Sequence, residues 1–318
     1  MTAAKPALVV RGLSKRYELG PAVENVGFSV ATGSTAAVVG PAGAGKTTIL
    51  RILLGLLEPS SGSAEIGPSP VGGMLAPRGL HPARAARDHL LVYAAAAAAG
   101  VPDARVDAVL EAVGLDTAAR VKTGALSVGQ QTRLALATAL LTDPRVLILD
   151  EPTEGLDAAE RGWLHDFLRR HTRRGGTVLL SSASLAAVVA MADQLIVMSE
   201  GAVVYQGTPA KLRRNHPDRL VVAASTPVAL ATVLAARGYT DAVIRPDGRL
   251  AVAEASEAEV RDAAKAAGVR LDSVTPDPIH PDRVLASLTK PSRTAAPMLP
   301  APGAHTPHPQ PTPYGIPR

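Results

Sequence analysis

The segment from Val38 to Leu50 constrains the fold of this chain more than any other part of the sequence. It reads VVGPAGAGKTTIL and fits the phosphate-binding loop pattern G-x-x-x-x-G-K-[ST]. An apolar strand over Ser34–Val39 is predicted before the loop and a helix over Thr48–Leu57 after it, which is the context that this pattern requires. The sequence therefore predicts a strand, loop and helix that bind the phosphates of a nucleoside triphosphate.

The residue types in this loop indicate how it would hold a nucleotide. Glycines let the backbone curl so that its N–H groups point inward, and the following helix adds its positive N-terminus. Lys46 is expected to reach the β- and γ-phosphates, and the hydroxyl of Thr47 is expected to ligate Mg²⁺. The predicted nucleotide-binding residues of the loop are Gly40, Pro41, Ala42, Gly43, Ala44, Gly45, Lys46, Thr47 and Thr48.

A second nucleotide-binding element lies at Arg145–Asp157, which reads RVLILDEPTEGLD. Its four aliphatic residues predict a buried strand, and Asp150 and Glu151 follow at the carboxyl edge, where parallel sheets bind their ligands. Asp150 is expected to hold Mg²⁺ directly or through water, together with Thr47. Glu151 is expected to orient or deprotonate the attacking water, which makes it the one predicted catalytic residue.

The rest of the pattern predicts two folded parts. Strands alternate with helices up to residue 217, which indicates an α/β fold with a mostly parallel sheet. Residues 7–30 predict an antiparallel sheet before the loop, and residues 83–142 are rich in helix formers, beginning with a continuous helix over Ala83–Ala99. Residues 218–290 restart in a β-α-β-β-α-β order, typical of a small ferredoxin-like α+β domain.

Composition excludes several classes of function. There is no cysteine, so disulfides and thiolate metal sites are excluded. The net charge of +5 is modest and no basic cluster occurs, so no nucleic-acid partner is expected. The longest apolar run, Leu90–Val101, is shorter than the about 18 residues that span a bilayer, and no signal peptide is evident, so a soluble subunit is expected. The Pro-rich residues 291–318 predict a disordered tail.

A third element, Leu126–Gln131, reads LSVGQQ and opens a predicted helix. By itself it predicts a capping box, with Ser127 as the N-cap and Gln130 three residues later. The same residues resemble LSGGQ, the signature motif of the ATP-binding cassette (ABC) ATPase family, with Val128 in place of the first glycine. Two subunits of that family enclose ATP head to tail, so the resemblance implies that Ser127, Gly129 and Gln130 contact the nucleotide held by a partner subunit.

The resemblance extends over about residues 7–290. Tyr17 stands where the family stacks an aromatic ring on adenine, although a tyrosine at a strand edge is the alternative interpretation. Asp157 matches the aspartate that couples the two composite sites. The chain looks most like ATPase subunits of the drug- and polymer-exporting ABC-2 branch, including the daunorubicin-resistance type. That branch implies a P-loop NTPase of ABC type, with a mixed core sheet, an antiparallel β subdomain, a helical signature subdomain and a small C-terminal domain.

The same resemblance implies ligands, partners and a location. ATP and Mg²⁺ are the expected ligands, and a second ABC subunit, identical or different, is expected across the ATP. A separate membrane permease is expected to dock at residues 76–100, which would place the chain in the cytoplasm at the inner face of the cell membrane. Specificity for the cargo lies in the permease of this family, so the sequence does not identify the transported substrate.

Two positions depart from the family pattern. The family usually places a histidine after two serines to contact the γ-phosphate and hold the attacking water, whereas this chain reads Ser181, Ser182, Ala183. At the Q-loop, Ala76, or Pro77 if the alignment shifts by one, replaces a glutamine that touches Mg²⁺ and water. Losing one donor to a developing charge costs about 10²–10³ in rate. We therefore expect Mg-ATP binding with slow or partner-dependent hydrolysis.

The missing histidine also supports an alternative of another class. The chain would then bind ATP with negligible turnover and act as a regulatory subunit, or pair with an intact ATPase in an asymmetric dimer. An ABC protein that acts on DNA or ribosomes is a third class, but the single cassette and the lack of a long coiled-coil insertion oppose it.

Overall fold

The computed structural model describes residues 6–97, 100–277 and 280–289, so the predicted tail at 291–318 lies outside the described residues. The strands are β1 (Pro6–Tyr17), β2 (Gly20–Ala31), β3 (Thr35–Val39), β4 (Ser61–Ile66), β5 (Val71–Met74), β6 (Val146–Leu149), β7 (Thr177–Ser182), β8 (Gln194–Ser199), β9 (Ala202–Gly207), β10 (Arg219–Ala224), β11 (Ala242–Ile244), β12 (Leu250–Ala253) and β13 (Leu271–Asp277). The helices are α1 (Lys46–Leu53), α2 (Ala86–Ala96), α3 (Asp103–Ala112), α4 (Val128–Leu140), α5 (Ala158–Arg173), α6 (Leu185–Val188), α7 (Pro209–Asn215), α8 (Pro227–Ala236), α9 (Glu257–Ala267) and α10 (Pro281–Leu288).

A six-stranded mixed sheet forms the centre of the larger part. Its strand order is β5-β6-β7-β3-β8-β9, and all neighbours pair in parallel except β8 and β9. Strands β3, β6 and β7 are buried at every residue, as expected where helices or a second sheet cover both faces. This confirms the α/β class predicted from the sequence.

Alternation along the strands divides the core into two layers. Ala37 and Val39 of β3 face helices α4, α5 and α6, while Ala36 and Val38 face α1 and the N-terminal sheet. That N-terminal sheet is antiparallel, as predicted, and β4 extends it to the order β2-β1-β4. Helices α2, α3 and α4 pack around a third cluster that includes the fully buried Leu90 and Leu134.

Several predicted elements differ from the structure in extent. The helix predicted over Ala83–Ala99 begins only at Ala86, because Ala85 forms an isolated β-bridge with Lys122 and Arg84 accepts a hydrogen bond from the Thr123 N–H group. The helix predicted after the phosphate loop begins earlier, at Lys46, and ends at Leu53. Strand β9 and helices α7 and α10 were not predicted.

The ferredoxin-like unit predicted in the C-terminal part is present. Strands β10 to β13 form an antiparallel sheet of order β11-β12-β10-β13, and α8 and α9 pack on it around Val222, Leu250 and Val252. Helix α10 follows this unit, but Val284 and Leu285 are buried in the core that α4, α5 and α6 share. The division into domains at 1–217 and 218–290 remains a prediction.

Candidate functional site

The site lies at the carboxyl edge of the six-stranded sheet. The sheet order places β7 between β6 and β3, so three chain segments leave the sheet side by side. The phosphate loop follows β3, Asp150 and Glu151 follow β6, and Ala183 follows β7. The Gly40 N–H group donates to the Ser182 carbonyl oxygen at 3.1 Å, which fixes the start of the loop against the end of β7.

Two glycines of the loop are required by close packing. A side-chain carbon at Gly40 would overlap the carbonyl oxygen of Met198 in β8. Gly45 has a φ of 93°, and a side chain there would overlap the carbonyl oxygen of Ala22 in β2. The remaining loop residues Pro41, Ala42 and Gly43 are exposed, whereas Ala44 is buried and Thr48 is half-buried. The loop therefore wraps closely around the N-terminus of α1, a geometry that suits phosphate groups.

Lys46 is a buried cation with three oxygen neighbours. Its side chain is 7% exposed, and Nζ donates to the carbonyl oxygens of Gly40 at 2.7 Å and Pro41 at 3.1 Å. The Glu151 Oε1 atom lies 3.4 Å from the same ammonium group. The loop thus holds one positive charge at the centre of the site.

Asp150 is buried and hydrogen-bonded at both carboxylate oxygens. The Thr47 hydroxyl donates to Oδ2 at 2.9 Å, and the Ser181 hydroxyl donates to Oδ1 at 2.5 Å. The predicted metal ligands, Thr47 and Asp150, are therefore brought together. A hydroxyl and a carboxylate are hard oxygen donors of the kind that Mg²⁺ prefers, so the residues present fit the predicted ion.

Glu151 is held from three directions. Its backbone adopts the left-handed region, with a φ of 46°, which is uncommon for a residue other than glycine. Its N–H group donates to the Ser181 hydroxyl at 2.9 Å, and its Oε2 atom accepts from the Ala183 N–H group at 3.0 Å. With Lys46 on Oε1, both carboxylate oxygens have partners, so this side chain has a defined orientation.

Ser181 is a site residue that the sequence analysis did not select. It is fully buried and serves both acidic residues, through the Asp150 carboxylate and the Glu151 N–H group. The available signal was a polar residue at the carboxyl end of a buried strand. Parallel strands place such residues at one edge, but the sequence does not give the order of the strands.

A cavity of about 650 Å³ adjoins Glu151 and includes the Q-loop position. Ala76 and Pro77 line it without polar side-chain atoms, but Arg78 and Gln131 also line it. Arg78 Nη2 donates to the Glu154 carbonyl oxygen at 3.0 Å, and Gln131 Nε2 donates to the Leu126 carbonyl oxygen at 3.1 Å. The polar groups of this cavity therefore come partly from residues that the motif comparison did not identify.

The signature residues open helix α4 as predicted from their capping pattern. The Gln130 N–H group donates to the Ser127 hydroxyl at 3.1 Å, and the Ser127 N–H group donates to Gln130 Oε1 at 3.0 Å. Gly129 is buried, and a side chain there would overlap the carboxylate of Glu160. These residues belong to a different element from the phosphate loop.

Asp157 and Glu160 form a second capping box, at the start of α5. The Asp157 Oδ1 atom accepts from the Glu160 N–H group at 2.8 Å, and Glu160 Oε2 accepts from the Asp157 N–H group at 3.3 Å. Because Glu160 also packs against Gly129, it connects the signature helix to the residue predicted to couple two sites.

Tyr17 lies at the end of β1, where it pairs with Gly20 across the hairpin to β2. Its side chain is 43% exposed, and Lys15 Nζ lies 5.6 Å from its ring centroid. The phosphate loop contacts the same strand β2 at Ala22, so the hairpin is adjacent to the loop. The stacking of adenine on this ring remains a prediction.

Comparisons with known proteins agree on one family. A family model described as ABC transporter matches residues 23–154. The chain is 37% identical over 203 residues to the SkfA peptide export ATP-binding protein SkfE of Bacillus subtilis (strain 168), covering 60% of this chain and 85% of that protein. It is 36% identical over 215 residues to the Nod factor export ATP-binding protein I of Burkholderia orbicola (strain AU 1054), covering 64% of this chain and 71% of that protein.

Solved structures share the fold of the larger part. One is cbiO1 from Clostridium perfringens, part of the ABC transporter complex cbiONQ, with a TM-score of 0.58 and 27% identity, covering 66% of this chain and 91% of that chain. Another is a dimeric ATP-binding cassette in a post-hydrolysis state bound to ADP and Pi, with a TM-score of 0.58 and 23% identity. It covers 64% of this chain and 98% of that chain, and at this identity it shows the fold alone.

Proposed function

The chain belongs to the ATP-binding subunits of ABC transporters, and on that premise we propose that it hydrolyses ATP to drive an export system with a separate membrane permease. The observation that carries the proposal is the meeting of Lys46, Thr47, Asp150 and Glu151 at one sheet edge. Export is supported by the relatives, whose names describe export ATP-binding proteins. A C-terminal unit is present where the resemblance implied a small C-terminal domain, which supports the proposed drug-exporting ABC-2 branch.

In this proposal the phosphate loop binds the triphosphate of ATP. The loop N–H groups and the start of α1 face the phosphates, and Lys46 exchanges its carbonyl partners for phosphate oxygens. Thr47 and Asp150 would hold Mg²⁺, which would neutralise charge at the phosphates. Tyr17 supplies the ring on which the adenine stacks.

Glu151 acts on the attacking water. One carboxylate oxygen accepts the water proton or orients the water, while the Ala183 N–H group holds the other oxygen in place. The Lys46 ammonium keeps the carboxylate charge close to the reacting phosphate. The residues of the chain therefore supply a base, its orientation and a binding cradle.

Hydrolysis is slow in this proposal because position 183 lacks a donor side chain. The backbone of Ala183 reaches Glu151, but its methyl group can neither donate a hydrogen bond nor titrate. The loss of one oriented donor to a developing charge lowers the rate by about 10²–10³. Arg78 and Gln131 line the cavity beside Glu151, but neither stands at position 183.

A second ABC subunit completes the site. Ser127, Gly129 and Gln130 open a helix N-terminus on an element separate from the loop, which supports their proposed contact with a nucleotide held by another subunit. Asp157 caps α5 and connects through Glu160 to Gly129, which supports its proposed role in coupling the two sites. The second subunit is identical or is a related ATPase.

The membrane permease docks at residues 76–100 in this proposal. Val92 and Tyr93 on α2 are 45% and 42% exposed, which offers an apolar surface beside the Q-loop. In the described part of the chain, no helix has both the length and the apolar character to cross a bilayer. We place the chain at the cytoplasmic face of the membrane because the resemblance implies that its permease partner binds it there.

One observation favours a second candidate function. Ala183 and Ala76 both lack the polar groups that the resemblance implies at these positions, while the binding residues are complete. A regulatory subunit would bind Mg-ATP with negligible turnover and pair with an intact ATPase. In such a pair Ser127 and Gly129 would still serve the site of the partner.

Single-turnover hydrolysis of Mg-ATP distinguishes the two functions when the parent is compared with Ala183→His. An ATPase that lacks one donor should gain at least about tenfold in rate on restoring histidine, with little change in nucleotide affinity. Equal, near-zero rates despite tight binding would favour the regulatory function. Brisk hydrolysis by the parent would contradict the assigned importance of position 183.

Two further variants test the roles of the site residues. Lys46→Ala should abolish ATP binding, because it removes the cation at the centre of the loop. Glu151→Gln should retain binding and lower any turnover by about 10²-fold or more. Hydrolysis by Glu151→Gln at the parental rate would show that another group activates the water.

A further inference from the structure

Helices α10 and α6, which are far apart in sequence, are in contact next to Ala183, the residue whose N–H group binds Glu151. Helix α10, at Pro281–Leu288, packs against the short helix α6, at Leu185–Val188. Val284 and Leu285 are each 6% exposed and share a core cluster with Leu185 and Val188. The last described helix is thus anchored on the segment that follows β7.

A carboxylate of α10 holds the start of α6. The Ser184 hydroxyl lies 3.2 Å from Asp282 Oδ1 and 3.1 Å from Oδ2, and the Ala186 N–H group donates to Oδ1 at 3.1 Å. The Ser184 hydroxyl also accepts from the Ala187 N–H group at 3.2 Å. Hydrogen bonds to a charged carboxylate are stronger than those between neutral groups, so Asp282 fixes the position of this turn.

The segment that Asp282 holds also orients Glu151. Ala183, the residue before Ser184, donates its N–H group to Glu151 Oε2 at 3.0 Å. Ser182 and Ser184 exchange two hydrogen bonds, from the Ser184 N–H group to the Ser182 hydroxyl at 3.1 Å and from that hydroxyl to the Ser184 carbonyl oxygen at 2.9 Å. The segment is therefore a compact turn, and its direction depends on what holds Ser184.

We propose that Asp282 is a positioning residue for ATP hydrolysis, acting through Ser184 to hold the Ala183 N–H group on Glu151. This inference rests on the proposed hydrolytic function. It gives helix α10 a specific role, because displacement of α10 would weaken the hydrogen bond that orients Glu151. The backbone contact is important here because Ala183 has no polar side chain with which to hold the water.

Asp282 is not needed to anchor α10. Val284 and Leu285 bury the apolar face of the helix, and the Ser199 hydroxyl donates to the Thr289 carbonyl oxygen at 3.2 Å. The side chain of Asp282 is 40% exposed, so truncating it to alanine removes little buried surface from α10. A change at Asp282 should therefore alter orientation at the turn without unfolding the helix.

The first test compares single-turnover hydrolysis and Mg-ATP affinity in the full chain. Asp282→Ala should lower the hydrolysis rate about tenfold while leaving the Kd for Mg-ATP unchanged, because the binding residues are untouched. Asp282→Asn keeps an acceptor for the Ala186 N–H group and should retain an intermediate rate. Arg283→Ala is the matched control, since that side chain is 73% exposed and lies 3.7 Å from Asp277, and it should hydrolyse like the parent.

A second test does not depend on turnover. Hydrogen exchange in peptides that span residues 182–188 should be faster in Asp282→Ala than in the parent, and unchanged in Arg283→Ala. If the parent hydrolyses no ATP, the proposed function fails, and exchange at the Ala183 amide still tests the positioning role. Unchanged exchange there, or a parental hydrolysis rate in Asp282→Ala, would overturn the inference.

Combining substitutions tests the route through Ser184. Ser184→Ala removes one of the two groups that Asp282 holds and leaves the Ala186 N–H group, so Asp282→Ala should lower the rate by a smaller factor in the Ser184→Ala background than in the parent. Independent, multiplicative losses from the two substitutions would contradict that route.

Discussion

At the scale of the residue, one buried hydroxyl serves both acidic residues of the site. Ser181 donates to Asp150 and accepts from the Glu151 N–H group. Ser181→Ala would leave both groups without this partner, which should lower the free energy of unfolding by about 1–3 kcal/mol. It should also weaken Mg²⁺-dependent nucleotide binding, because the Asp150 carboxylate loses its orientation. Chemical denaturation and nucleotide titrations at several Mg²⁺ concentrations measure the two effects.

Thr177→Val is the matched control for Ser181→Ala. Thr177 is buried on the same strand, but its hydroxyl accepts from the Gly33 N–H group at 3.1 Å, at the opposite end of β7. Thr177→Val should lower the free energy of unfolding by a similar amount and leave the Mg²⁺ dependence of nucleotide binding unchanged. An equal loss of Mg²⁺ dependence in both variants would show that the effect comes from general destabilisation and not from Asp150.

Site residues that are close together in sequence could be predicted, whereas those whose partners are far away along the chain could not. The residues from Gly40 to Thr48 form one contiguous pattern, so their expected roles could be stated from spacing alone. Asp150 could be predicted because it ends an aliphatic strand. Ser181 bonds to a residue 31 positions away and Asp282 to one 98 positions away. No local pattern encodes those contacts, because they depend on the order of the strands and on the packing of α10.

At the scale of the element, substitutions in the capping box of α5 distinguish two ways in which Asp157 could stabilise the helix, by capping it and by its negative charge. Asp157→Ala removes the acceptor for the Glu160 N–H group and should lower the free energy of unfolding by about 1 kcal/mol. Asp157→Asn should retain most of that stability, because asparagine caps helices about as well as aspartate. Equal losses in both variants would show that the charge of Asp157, and not its cap, stabilises the helix.

A third capping box, at the start of α9, provides the control within the same chain. Ser256 and Glu259 open α9 in the ferredoxin-like unit with the same reciprocal pair of hydrogen bonds. Ser256→Ala should lower stability by a similar amount, again about 1 kcal/mol, without affecting nucleotide binding. Helix caps thus contribute stability in both parts of the chain, whereas only Asp157 lies beside the signature helix.

Sequence patterns predicted the elements that carry a clear local signal, such as the run of aliphatic residues in β6. Helices α4, α5 and α9 begin at capping boxes, and the box at the start of α4 was predicted from Ser127 and Gln130. Helix α10 has only eight residues, and its apolar spacing is too short to distinguish from a loop. The start of α2 was misplaced because a tertiary bridge to Lys122 competes with the helix at Ala85. Helix propensity determines where a helix begins only if no distant strand or loop offers the backbone other hydrogen-bond partners.

At the scale of the whole molecule, two histidines whose pKa values are lowered in the folded chain connect stability to pH. His89 is 1% exposed and packs on Tyr93 with ring centroids 4.9 Å apart. Burial lowers its pKa below the ordinary value, and the charges of Arg84 and His81 lower it further. Burial likewise lowers the pKa of His171 at the end of α5, against a hydrogen bond to Arg145 that raises it. The imidazoles of His89 and His171 are therefore harder to protonate in the folded chain than in the unfolded chain.

The sign of the pH dependence follows from those shifts. Because the folded pKa lies below the unfolded value of 6.5, the unfolded chain binds more protons between the two values. The free energy of unfolding should rise with pH through that window and level off above about pH 7. Each histidine contributes a slope of at most about 1.4 kcal/mol per pH unit. Urea denaturation at intervals between about pH 5 and pH 8 measures this dependence.

Substitution at His89 shows whether the slope arises there. His89→Phe keeps a ring against Tyr93 and removes the titrating group, so the slope between about pH 5 and pH 6.5 should fall while stability at pH 8 changes little. Leu90→Met, at the fully buried neighbour on α2, should lower stability by less than about 1.5 kcal/mol equally at every pH. A parallel shift in His89→Phe, with the full slope retained, would assign the pH dependence to other groups. In that case His171→Phe should remove the slope, because burial lowers the pKa of that residue in the same direction.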